Sequence, residues 1–203
     1  MQFELSSIKS GLISLDAVDM NSVSRQGEAA VLVSITQYRG RHCLLLTKRA
    51  LHMRHHGGEV AFPGGMWEPD DQFPVITALR EAEEEIALMS HQVEVVGLLP
   101  SMPTRNGTKV TPVVGLINAD ELSLKPSPEE IDSIFYVPLD ALEPSKRIRT
   151  DIFAKRKKPL WAPAYDYEGH EIWGFTAGVI KVLLERCFKV HFERQHMAPE
   201  KEW

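Results

Sequence analysis

Short apolar runs separated by polar stretches set the elements this chain is predicted to form. Ala30-Val31-Leu32-Val33-Ser34-Ile35 and Cys43-Leu44-Leu45-Leu46-Thr47 have the length of strands. The polar stretch Gln37-Tyr38-Arg39-Gly40-Arg41-His42 divides them, so the pair reads as a hairpin. A helix is predicted over residues 74–89, with Pro74 tolerated in its first turn. Further strands are expected over residues 93–99, 110–117 and 134–137. A last amphipathic helix is expected from residue 176 to about residue 192, turning Val179, Ile180, Leu183, Leu184 and Cys187 inward. Mixed strands with two main helices predict an α/β sandwich. Residues 1–28 and 193–203 carry the least pattern. They are expected to form an N-terminal extension packed on a domain of residues 29–192, and a C-terminal tail.

The first long helix carries an unusual charge pattern, Arg80-Glu81-Ala82-Glu83-Glu84-Glu85. At about 100° per residue, Glu84 falls roughly 60° to one side of Glu81 and Glu85 roughly 40° to the other. Three carboxylates therefore share a face, and like charges at these spacings repel. Glutamate-rich faces are often simply solvated. Here, however, the turn Phe62-Pro63-Gly64-Gly65 precedes the cluster, and a glycine pair lets backbone come close to a phosphate. Hard divalent ions take oxygen ligands and relieve such repulsion. Acidic helix and glycine turn together read as a site that grips a metal-bound phosphate.

Composition adds bounds rather than detail. A chain of 203 residues with 43% hydrophobic and 25% charged residues suits one globular domain with a proper core. The net charge of −5 argues against general nucleic-acid binding, and no apolar run is long enough to span a bilayer. Met1-Gln2-Phe3-Glu4-Leu5 has an early acid and no basic region before an apolar core, so no secretory leader is expected. Cys43 and Cys187 read as buried, inert thiols. A cytoplasmic protein is expected, and homodimerisation stays open.

The residues resemble the Nudix hydrolases, whose box runs from a glycine through a loop into Arg-Glu-x-x-Glu-Glu, matched here by Arg80 to Glu85. Two departures stand out. Ala87 occupies the position of the usual glycine after the last glutamates. The loop from Gly65 to Arg80 is one residue longer than the commonest form, with the acidic run Glu68-Pro69-Asp70-Asp71 in place of its usual glutamate. Alanine at position 87 is expected to be tolerable unless the backbone there needs a positive φ. Upstream, Leu45-Leu46-Thr47, Arg49-Ala50, Arg54, Gly58 and Phe62-Pro63-Gly64-Gly65 resemble the coenzyme A pyrophosphatase subgroup. So do Val110 to Gly115, Glu130-Ile131 with Phe135 to Leu139, and Ile172 to Ala177.

That resemblance implies a Nudix-type α/β/α sandwich with a mixed sheet. It implies Mg²⁺ or Mn²⁺ held by Glu81, Glu84 and Glu85, with the Gly65 carbonyl, and Arg80 as a brace paired to Glu84. Arg49 and Arg54 are the candidates for phosphate contacts, with Gly58, Gly64 and Gly65 shaping the substrate site. The general base stays open between Glu84, Glu129 and Glu130, the last two on the Pro126-Ser127-Pro128 loop. The implied substrate is a small nucleotide, coenzyme A or an acyl-CoA, cleaved to 3′,5′-ADP and 4′-phosphopantetheine. Other nucleoside diphosphate derivatives, or a binding module without hydrolysis, are the competing readings, and the latter is expected to lose one of the three glutamates. Lys155-Arg156-Lys157-Lys158 is read as a solvated loop before a 3′-phosphate contact. His52, His55 and His56 are read as packing or hydrogen-bonding groups before metal ligands, and Trp161 and Trp173 as core before stacking platforms.

Overall fold

The computed structural model describes residues 3–5, 8–17, 26–153 and 160–203. Its helices are α1 (Ile8–Gly11), α2 (Pro74–Ile86) and α3 (Gly174–Phe188). The strands of the main sheet are β1 (Glu28–Tyr38), β2 (Arg41–Arg49), β3 (Val60–Ala61), β4 (Gly64–Met66), β5 (Glu94–Leu98), β6 (Met102–Pro103), β7 (Lys109–Leu116) and β8 (Ile131–Pro138). A second sheet holds β9 (Arg149–Phe153), β10 (Leu160–Tyr167), β11 (His170–Ile172) and β12 (Glu200–Glu202).

The apolar runs are nearly continuous because the main sheet is covered on both faces. Side chains alternate across a strand, so Leu32, Leu45 and Val113 face α2 while Val33, Leu44, Leu46 and Val114 join the core that contains α3. The hairpin forms, with Tyr38 opposite Arg41 and both Arg39 and Gly40 at positive φ. Such two-residue turns match the strand twist. β1 also pairs with β7 in parallel and with β4 antiparallel, which makes the sheet mixed.

Helix α2 begins at Pro74, whose missing N–H costs nothing in the first turn. Ala78, Ala82 and Ile86 form its buried stripe, and the small alanines let it sit close to the sheet. It stops at Ile86, three residues before the expected end, because Ala87 adopts φ 56°, ψ 32°. The N–H of Ala87 then donates to Glu83 O (2.9 Å) and that of Leu88 to Ala82 O (3.2 Å), closing a left-handed C-cap. The family's glycine is therefore replaced at a position that does need a left-handed backbone. Helix α3 buries all five residues expected to face inward and likewise ends on a left-handed residue, Lys189.

The second sheet was not expected from the pattern. β10 pairs with β9 and β11, and β12, near the C-terminus, adds to β9 in parallel. At the other end of the chain, residues 8–13 form a strap. Gly11 lies against the backbone of Arg186 and Cys187 on α3, and Ile13 bridges Leu98 on the edge strand β5. Among the described residues no helix is long and apolar enough to cross a membrane.

Candidate active site

The close approach of α2 to β4 sets the site. β4 lies beside β1, with Gly64 opposite Val31 and Gly65 opposite Ala30. A Cβ at Gly65 would collide with the Glu81 carboxylate, and one at Gly64 with the carbonyl oxygen of Ala30. Gly64 also has φ 155°. The glycine pair thus brings strand backbone against helix carboxylates, which no larger residue permits.

Glu85 is the buried member of the acidic face, 2% exposed. Its Oε1 accepts from Arg49 Nη1 at 3.1 Å and its Oε2 from the Gly64 N–H at 3.1 Å. Burial raises its pKa to about 7, against the opposing pull of Arg49 and the Gly64 N–H, with Glu81 and Glu130 adding to the rise. Glu81, largely buried, is also raised, first by burial and then held back by Arg80. Glu84 stands at the solvent edge, 59% exposed.

Arg80 ties these groups together. Its Nη1 lies 3.0 Å from Glu81 Oε1 and 3.1 Å from Glu84 Oε2, so the expected i,i+4 pair with Glu84 forms. Its Nη2 donates to Met66 O and to Asp71 Oδ2, each at 3.0 Å, and its Nε to Asp71 Oδ1 at 3.3 Å. Asp71 is almost fully buried and also accepts from the Glu68 N–H at 3.0 Å. Burial opposes its ionisation, but Arg80 and that N–H outweigh it and hold its pKa below the usual range. Asp71 is the anchor that sequence reasoning missed. It belongs to the acidic run that replaces the family's usual glutamate, and that substitution was the available signal.

The remaining expected residues lie around this core. Arg49 is committed to Glu85. Arg54 is exposed on the loop between β2 and β3, with no ion-pair or hydrogen-bond partner among the described residues. Gly58 closes that loop at φ 76°, donating to Arg49 O at 3.0 Å. The 125–130 segment is pinned to the end of α2, because Ser127 N donates to Glu85 O (2.8 Å) and Lys125 N to Ile86 O (3.0 Å). Ala50 N donates to Glu130 O at 2.7 Å. Glu130 raises both Glu81 and Glu85, and the Glu129 carbonyl faces His52 Nε2 at 3.0 Å. His56 pairs with Glu59, while Trp173 stacks on Trp203 at 4.4 Å and Trp161 packs against the larger core. The basic run at 155–158 lies outside the described residues.

Among the described residues no three acidic or histidine groups already converge as a cation cage, since Arg80 and Arg49 hold the carboxylates. The donor set still fits a hard divalent ion. Glu81, Glu84, Glu85 and Asp71 gather about Arg49 and Arg80 with Glu130 adding to their field, and burial raises two of the carboxylates, a cost that a bound cation would relieve. The sequence profile of the NUDIX domain matches residues 26–157, about two-thirds of the chain. The chain belongs to the Nudix family. It is 42% identical over 158 residues to the uncharacterized Nudix hydrolase NudL of Escherichia coli (strain K12), covering 77% of this chain and 80% of that protein. The same identity and coverage hold for NudL of Shigella boydii. The crystal structure of a MutT/nudix family protein from Enterococcus faecalis matches with a TM-score of 0.51 at 15% identity, over 93% of this chain and 74% of that one. That likeness supports the Nudix fold. Nudix hydrolases act on nucleoside diphosphate derivatives and generally use divalent metal ions, which suits the acidic face described above.

Proposed function

We propose that this Nudix hydrolase cleaves the diphosphate of coenzyme A or an acyl-CoA, releasing 3′,5′-ADP and (acyl-)4′-phosphopantetheine. The observation that carries this reading is the block Leu45-Leu46-Thr47, Arg49-Ala50, Arg54, Gly58 and Phe62 to Gly65. Its two ends meet the acidic face of α2, at Arg49 with Glu85 and at Gly65 with Glu81. Arg54, exposed and unpaired beside it, is available for a phosphate oxygen.

Glu81, Glu84 and Glu85, with the Gly65 carbonyl, would hold Mg²⁺ or Mn²⁺. When bound, such an ion offsets diphosphate charge and lowers the pKa of water. Arg80, fixed by Asp71, orients Glu81 and Glu84. Glu130 is the better placed of the two loop carboxylates to accept the proton of the attacking water at its Oε, since it shares the electrostatics of Glu81 and Glu85. The oxygen of that water forms the new P–O bond as the bridging P–O bond breaks, and the leaving group departs as a phosphate monoester. We place the reaction in the cytoplasm, where buried thiols stay reduced.

The test is product analysis by mass spectrometry with Mg²⁺ or Mn²⁺ and a panel of CoA, acetyl-CoA, ADP-ribose, NADH and nucleoside triphosphates. Preferential 3′,5′-ADP formation abolished by EDTA is the expected result. Preferential cleavage of ADP-ribose or a nucleotide would move the substrate and keep the chemistry.

A further inference from the structure

The second sheet buries a group of polar atoms that the acidic site does not use. Arg147, just ahead of β9, is 5% exposed. Its Nη1 and Nη2 donate to the backbone carbonyls of Glu193 (2.8 Å) and Arg194 (3.2 Å). Its Nε has no partner, and no carboxylate pairs with it among the described residues. Thr150 Oγ1 and Tyr165 OH are also without partners, on residues 0% and 1% exposed.

Strand register puts Thr150 and Tyr165 on one face with Trp161. Thr150 stands opposite Pro163, which has Trp161 two residues before it and Tyr165 two residues after. Opposed residues and their i±2 neighbours share a face. The Arg147 guanidinium lies 5.6 Å from the Trp161 ring centroid. Burial lowers its pKa while the neighbouring Tyr165 raises it, so the two groups feel each other. Lys181 Nζ adds a second cation 4.8 Å from the same indole, its own charge answered by Glu185 at 2.9 Å.

All three unpartnered groups can donate a hydrogen bond, and one carries a permanent charge. A water would satisfy the hydroxyls but leave the buried guanidinium without a counter-charge. An anion answers both needs. At 5%, 0% and 1% exposure, Arg147, Thr150 and Tyr165 are out of reach of anything the size of a nucleotide. We propose that Arg147, Thr150 and Tyr165 enclose a binding site for a monovalent anion of halide size, separate from the carboxylate-lined site. Bound there, it ties β9 and β10 to the segment that follows α3, because Arg147 already holds that segment through its two Nη groups.

Bromide is the probe, since a heavy halide in contact with an indole quenches its fluorescence. The full chain is titrated with sodium bromide against sodium gluconate at constant ionic strength. Trp fluorescence and the thermal midpoint are followed together. Saturable quenching that disappears in Trp161→Phe, and a midpoint that rises and levels off over the same concentrations, are expected. Arg147→Met should weaken bromide binding at least tenfold. Tyr165→Phe and Thr150→Val keep shape and charge and should each weaken it several-fold, so they decide the matter even if Arg147→Met does not fold. Quenching that stays linear in bromide and is unchanged in Tyr165→Phe and Thr150→Val would overturn the proposal and leave a water in the site.

Discussion

Two regions of this protein bury charge in opposite senses. Around α2 and β4, five carboxylates gather about two arginines, and burial presses Glu81 and Glu85 toward their neutral forms. In the second sheet, Asp151 is fully buried yet receives Arg149 Nε at 2.6 Å and Nη2 at 3.2 Å, and Arg149 also meets Glu171. Nearby, Arg147 has carbonyls alone. A balanced buried pair holds the fold together, whereas an excess of one sign marks a place prepared for a ligand of the other. Substitutions in the two regions should therefore separate activity from stability.

The largest effect is expected at the acidic face. Glu84→Gln removes a charge that is more than half exposed, so the fold should persist while turnover falls by about 10²-fold or more. Circular dichroism beside a steady-state assay checks this, and near-normal turnover would sink the metal-site assignment. Asp151→Ala is the converse. It leaves Arg149 with only the half-exposed Glu171, opens a buried cavity and should cost about 3 kcal/mol in a urea titration, with turnover of the folded fraction unchanged.

The pH dependence sharpens the same contrast. In metal-free protein Glu85 keeps its proton up to about 7, while in the unfolded chain it ionises near 4.5. The native state holds the extra proton between those values, so stability contributed at low pH is lost as pH rises through that window. The ceiling is about 3 kcal/mol, read as the unfolding midpoint between pH 5 and pH 8 in EDTA. Added Mg²⁺ should reverse the trend above pH 7, and a flat profile in EDTA would remove burial as the cause. The smallest effect is local. Ala87→Gly relieves a left-handed alanine and should stabilise by about 0.5–1 kcal/mol, partly offset by the freer unfolded chain.

Most of the main sheet was legible because its strands are apolar on both faces, and the period alone gave α2 and α3. The second sheet was not, because β9 reads Arg-Thr-Asp-Ile-Phe and a buried ion pair has no hydrophobic signature. The site was half legible. Helical spacing put Glu81, Glu84 and Glu85 on one face, but three identical side chains gave no sign that Glu85 alone would be buried. That outcome depends on Ala78 and Ala82 drawing the helix against the sheet. Asp71 was hidden for a similar reason, since its partner Arg80 is reached across a loop whose path only the folded chain defines. Position 87 was the reverse case. Alanine in place of the family's glycine was expected to be tolerable unless the backbone needed a positive φ, and the alanine adopts one regardless.

The strap of residues 8–13 sets an order of events during synthesis. Ile13 leaves the ribosome 85 residues ahead of Leu98, the edge residue it bridges, and the Gly11 carbonyl waits still longer for Arg186, whose Nε it accepts at 2.9 Å. A segment made before the rest of the domain is therefore among the last to dock. Until α3 has emerged the outer edge of β5 is uncovered, and a nascent chain stalled before that point presents an open strand to its neighbours.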